Sequence, residues 1–95
     1  MSAMDRIAIY NDISDERRRQ HEKFGDQVEM GCMFMLAVLT EEVGEVAQAA
    51  IELDVSLDQE HDSVRNHYLA RIRAELVQVA AVAVQMIEHI DRDAA

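Results

Sequence analysis

The 95-residue sequence has no proline, no tryptophan, three glycines, one cysteine, two phenylalanines and two tyrosines. With proline absent and glycine confined to positions 25, 31 and 44, little interrupts the long stretches of Ala, Leu, Met, Glu, Gln and Arg, which is an all-helical composition. The single cysteine, Cys32, excludes an internal disulfide or a cysteine-cluster zinc site and points to a reducing compartment. Residues 1–6 hold no apolar signal core, and no apolar run approaches the ~18 residues of a spanning helix. A cytoplasmic location without a membrane partner is expected. Positive charge is also scarce: 9 Lys and Arg stand against 19 Asp and Glu, a net charge of −10. Such a chain repels phosphate backbones, which excludes nucleic acid as a partner unless metal ions intervene.

What is abundant is apolar side chain, 49 % of residues at a mean hydropathy of −0.17. A chain this short buries only about 60–65 % of its unfolded surface, so one domain spanning residues 1–95 has more apolar material than a lone globule uses. The first helical segment runs from about Met4 to Phe24, with Ile7, Tyr10, Ile13 and Arg17 at helical spacing. Gly25 is its stop, and residues 25–31 are a connector.

A second helix, from about Met33 to Leu53, carries a seam of Leu36, Leu39, Val43, Val46, Ala50 and Leu53, spaced 3, 4, 3, 4 and 3. Residues 56–66 read as a polar loop or frayed turn, with Ser56 or Asp62 as N-cap of the third helix. That helix, from about Val64 to Ile90, repeats the seam as Ile72, Leu76, Val79, Ala83, Met86 and Ile90. From Leu76 to Val84 only Gln78 is polar, so this stretch should be buried on all sides. The expected fold is an all-α bundle of three to four helices per protomer. A homodimer or homotetramer with a four-helix-bundle-like dimer unit would complete its core.

The chemistry concentrates at Glu41, Glu42 and Glu45. Glu42 and Glu45 are i,i+3 and share a helix row with Met35, Val38 and Ala49, beside the seam, so they should be half-buried. Glu75 and Gln78 repeat that spacing on the third helix. Side-by-side packing of the two helices would bring Glu42, Glu45, Glu75 and Gln78 together. Three carboxylates and an amide oxygen suit a hard cation, Mg²⁺ or Mn²⁺, and not Zn²⁺. A di-iron carboxylate bundle requires Glu-x-x-His pairs. None occurs before His21, His61, His67 or His89.

Glu-Glu-Val-Gly-Glu at 41–45, followed about thirty residues later by Glu75-Leu-Val-Gln78, resembles the Glu-Glu-x-x-Glu … Glu-x-x-Asp signature of the MazG-like all-α nucleoside triphosphate pyrophosphohydrolases. The likeness extends from about Glu16 to Asp91, and residues 16–27 are similar to the segment that precedes the motif in many small members. It implies cleavage of a nucleoside triphosphate between the α and β phosphates to the monophosphate and pyrophosphate. It further implies Mg²⁺ binding by Glu42, Glu45 and Glu75, with Glu41 orienting a ligand or the attacking water. Position 78 departs from the pattern, since Gln replaces Asp and removes one negative charge from the site. Cations bound there would supply the positive charge that lets a −10 chain accept a triphosphate.

Arg17, Arg18, Lys23, Arg71 and Arg73 are candidate phosphate-side cations, each otherwise part of a solvated helix face. Phe24 either stacks on a base or caps the core at the end of the first helix, and His21 and Gln27 are placed to contact the base edge. Gly44 inside a helix, at a cost of about 1 kcal/mol relative to Ala, points to a closely approaching neighbour. Two functions are compatible with these residues: a Mg²⁺-dependent nucleotide pyrophosphohydrolase, or a non-catalytic helical oligomer that binds a nucleotide or protein.

Overall fold

The computed structural model describes residues 2–24, 31–56 and 62–94. Every element among them is helical: α1 (Ala3–Phe24), α2 (Cys32–Ser56) and α3 (Asp62–Ala94). At 1.5 Å per residue, the 33 residues of α3 extend about 50 Å. That length sets the long dimension of a 53 × 31 × 21 Å molecule. Both α1 and α2 pack on α3, and among the described residues they do not pack on each other.

The start of α1 is a capping box. The Asp5 backbone N–H donates to Ser2 Oγ at 3.2 Å, and the Ser2 N–H donates to Asp5 Oδ2 at 2.8 Å, satisfying donors that the helix leaves open. Further along α1, Arg18 pairs with Asp15, and Arg19 Nε donates to Glu16 Oε2 at 2.8 Å, so part of the charged run neutralises itself at i,i+3. Cross-links of long reach orient the helices. Arg73 meets Asp12 at 2.6 Å and Arg17 meets Glu88 at 3.3 Å, so α1 runs in the same direction as α3. Arg71 meets Glu52, while Glu75 lies beside Glu42 and Glu45, so α2 and α3 are antiparallel.

Burial inside the protomer falls on a different row from the expected seam. Among the described residues, Met35 and Ala49 on α2, with Ala81, Val82 and Gln85 on α3, are the buried ones. Leu36 (48 % exposed), Val43 (49 %), Leu76 (50 %) and Ile90 (51 %) remain open to solvent. Each seam is split lengthwise: Leu39, Val46 and Leu53, like Ile72, Val79 and Met86, are half-buried at the flank of the α2–α3 contact, while the other members face outward or stay half-covered. Nor is the 76–84 stretch enclosed on all sides. Leu76 and Val84 stay open to solvent at the edge of the α1 contact, Leu76 lining a cleft with Ile9 and Ile13, and Val84 one with Tyr10 and Ile13.

Two local expectations are also corrected. Ser56 is the last residue of α2 and α3 begins at Asp62, so the expected 56–66 loop is helical at 56 and at 62–66; residues 57–61 lie outside the described residues. A Cβ at Gly44 would meet nothing within 4 Å, so among the described residues no neighbouring helix approaches it. The Gly25 stop lies outside the described residues.

Candidate metal centre

Antiparallel packing of α2 on α3 brings together one carboxylate oxygen from each of Glu42, Glu45 and Glu75, all within 4.8 Å of one another. The i,i+3 spacing supplies two of them from one helix face, and the packing supplies the third. All three side chains are half-buried. Just before them the Thr40 hydroxyl donates to the Leu36 carbonyl at 2.8 Å, which satisfies that polar group within its own helix.

The electrostatics of the cluster are unbalanced. Burial pushes the Glu42 carboxyl above the usual range, and the charges of Glu45, Glu75 and Glu41 push it further in the same direction. Burial likewise raises Glu75, followed by hydrogen bonding and repulsion from Glu45, with Arg71 acting in the opposite sense. Glu42 Oε2 and Glu75 Oε2 are buried without a hydrogen-bond partner. A buried acceptor left unmade costs about 1–3 kcal/mol, more when it is charged, so protons or a cation would relieve the cluster. Oxygen-only donors are the type that hard divalent cations take, and acidic groups of this kind are also common without an ion.

Other residues named from the sequence are placed unevenly around this centre. Glu41 is exposed and outside the three-carboxylate group, yet close enough for its charge to act on Glu42. Gln78 is half-buried, three residues beyond Glu75 on α3. Compared with family models, curated proteins and solved structures, the chain finds no significant match in any of the three.

Arg71 reaches the neighbourhood of the centre, but its Nη1 is held 2.6 Å from Glu52 Oε2. Arg73 is committed to α1 through Asp12. Arg17 and His21 sit together against Glu88 and Arg92 at the far end of α3. Glu75 and Glu88 are 13 positions apart, about 20 Å along the helix, so Arg17 and His21 are not brought to the carboxylates within one protomer. Lys23 is exposed near the end of α1, while the Phe24 side chain and Gln27 lie outside the described residues. Glu52 was not singled out from the sequence. The signal for it was its spacing, since 45, 49 and 52 continue the row that holds Glu42.

Proposed function

We propose that this chain is a Mg²⁺-dependent nucleotide pyrophosphohydrolase of the MazG-like kind, acting on a nucleoside triphosphate in the cytoplasm. The observation that carries this reading is the meeting of three half-buried carboxylates from two helices, two of them with a buried, unpartnered oxygen. Glu42, Glu45 and Glu75 would hold the cation, with the Gln78 amide oxygen one helical turn away as a neutral fourth donor. A bound Mg²⁺ or Mn²⁺ supplies positive charge for the phosphate oxygens and lowers the pKa of a water. Glu41, solvent-facing beside Glu42, would orient the water that attacks the α phosphorus while pyrophosphate leaves. No residue of the chain forms a covalent intermediate in this scheme.

A homodimer or homotetramer belongs to the same proposal. The protomer exposes 6888 Å², against roughly 5500 Å² for a compact protein of 10.8 kDa. Its exposed apolar residues include the alternating members Leu36, Val43 and Leu76 of both seams. A second copy packing there would build a four-helix core and use the apolar surplus. The excess surface is of the size that stable homodimers bury per subunit.

Pyrophosphate release from a panel of nucleoside triphosphates, with Mg²⁺ present, tests the reading. The expected result is stoichiometric monophosphate and pyrophosphate, lost by about a hundredfold or more in Glu42→Gln and Glu45→Gln. If no triphosphate turns over and Mg²⁺ leaves thermal stability unchanged, the chain is the non-catalytic oligomer instead. Turnover that survives both substitutions would remove the site assignment.

A further inference from the structure

We propose that the cleft between the C-terminal halves of α1 and α3 is a second ligand site, one that binds a phosphoryl anion without a metal. The cleft is an open groove of about 340 Å³, lined by Ser14, Arg17, Arg18, His21, Glu88 and Arg92. Three guanidiniums, an imidazole and a hydroxyl line it with the Glu88 carboxylate, in a chain whose net charge is −10; Arg17 pairs with Glu88, Arg18 with Asp15, and Arg92 is engaged as well. The spacing explains the convergence: 14, 17, 18 and 21 share one face of α1, and 88 and 92 are one turn apart on α3.

Arg17 shows what the cleft lacks. Its side chain is only 14 % exposed, and its Nε is buried with no acceptor. Its Nη2 reaches Glu88 Oε2 at 3.3 Å, longer than the ~2.7–2.9 Å of a good charge-assisted bond. Arg18 is bound to Asp15, but both side chains are about two-thirds exposed, and such surface pairs exchange partners at little cost. Compensation of the helix dipole does not explain Arg17, which lies seven residues before the end of α1, because that effect is spent within the last turn.

A tetrahedral phosphoryl group carries acceptors in several directions and so meets the guanidinium forks and the Ser14 hydroxyl together, where a planar carboxylate aligns with one fork. Glu88 is the opposing charge in the lining and holds the affinity down. The site lies about 20 Å along α3 from Glu75. It does not rest on the function proposed above, because it needs no cation and no turnover.

Titrating inorganic pyrophosphate into the full-length protein, in EDTA and at low salt, separates this cleft from the carboxylate centre, which repels a bare anion. One equivalent per chain is expected to bind, with affinity reduced about tenfold or more in Arg17→Gln. Arg17 is largely buried, so two variants at exposed positions carry the test independently. Arg18→Gln should weaken binding, and Glu88→Gln should tighten it severalfold, while Glu42→Gln leaves it unchanged. A nucleoside monophosphate in place of pyrophosphate distinguishes sources: equal affinity identifies the phosphoryl group alone as the ligand, and tighter binding identifies a nucleotide. No binding in EDTA, or binding indifferent to both Arg18→Gln and Glu88→Gln, overturns the proposal.

Discussion

Arg71 Nη1 lies 2.6 Å from Glu52 Oε2, bridging α2 and α3 at a point one turn before Glu75. The guanidinium therefore satisfies a carboxylate next to the cluster and only partly offsets the cluster itself. Glu75 stays above the usual carboxylate range despite it, because burial and Glu45 act more strongly. The metal-free protein thus keeps an internal repulsion, and its consequences can be measured.

The pH dependence has a definite sign. Glu42 and Glu75 have folded-state pKa values raised above 4.5, so the folded chain holds these protons more tightly than the unfolded one. Their stabilising contribution is full below about pH 4.5 and is lost as pH rises through the raised values. In EDTA at pH 7, Glu75→Gln or Glu42→Gln should therefore be more stable than wild type by about several tenths of a kcal/mol, seen as a higher unfolding temperature. The gain should vanish near pH 4. Asp5 and Glu16 are lowered by Ser2 and Arg19 respectively and act in the opposite sense, but they cancel in the difference between variant and wild type. Variants less stable than wild type at every pH would refute the repulsion.

Divalent cations should reverse that order. Mg²⁺ or Mn²⁺ at a hundred times its dissociation constant stabilises a single-site protein by about 2.7 kcal/mol. Wild type should gain in thermal scans on this scale, while Glu42→Gln and Glu75→Gln should gain little. Gln78→Asp restores a charge beside Glu75 and should tighten the metal. A weaker Mg²⁺ dependence in Gln78→Asp would place residue 78 outside the site.

Gly44 provides a test of surroundings. A Cβ there meets open space in the protomer, so Gly44→Ala should stabilise α2 by about 1 kcal/mol, a rise of about 4–8 °C in melting temperature for a domain of this size. Turnover should be unchanged. A fall in stability would show that the backbone of a second copy crosses at this residue.

Association should be visible in solution mass. Wild type is expected at two or four times 10.8 kDa, and Val43→Glu or Leu76→Glu, each at an exposed apolar position, should shift it toward monomer with reduced stability. A well-behaved monomeric wild type in light scattering would remove the shared-core argument.

Helix content was legible because proline is absent and because apolar residues recur at spacings of three and four from Leu36 to Leu53 and again from Ile72 to Ile90. The carboxylate pair was legible for the same reason, since Glu42 and Glu45 fall on one face whatever that face touches. The capping box of Ser2 and Asp5 was also written in the sequence, as a serine three residues before an acid. It sits ahead of a segment with little apolar contrast, where the pattern carries less weight. The 56–66 loop was overestimated because polar residues at helix ends look like loop when the helix is exposed on most sides.

By itself, the sequence determined that this is an all-helical chain of three elements with two rows of interest on α2, one apolar and one acidic, a single residue out of phase. Only the tertiary structure decided which row the chain covers with its own α3. One residue of phase is about 100° of rotation, and the periodicity that defines both rows is indifferent to it. The α3 helix breaks that tie by burying Met35 and Ala49, half-covering the acidic row between them, and leaving Leu36 and Val43 outward. The same choice brings Glu75 to Glu42 and Glu45, and it carries Arg17 and His21 to the opposite end of α3. Distances between helices depend on packing, which local spacing does not encode.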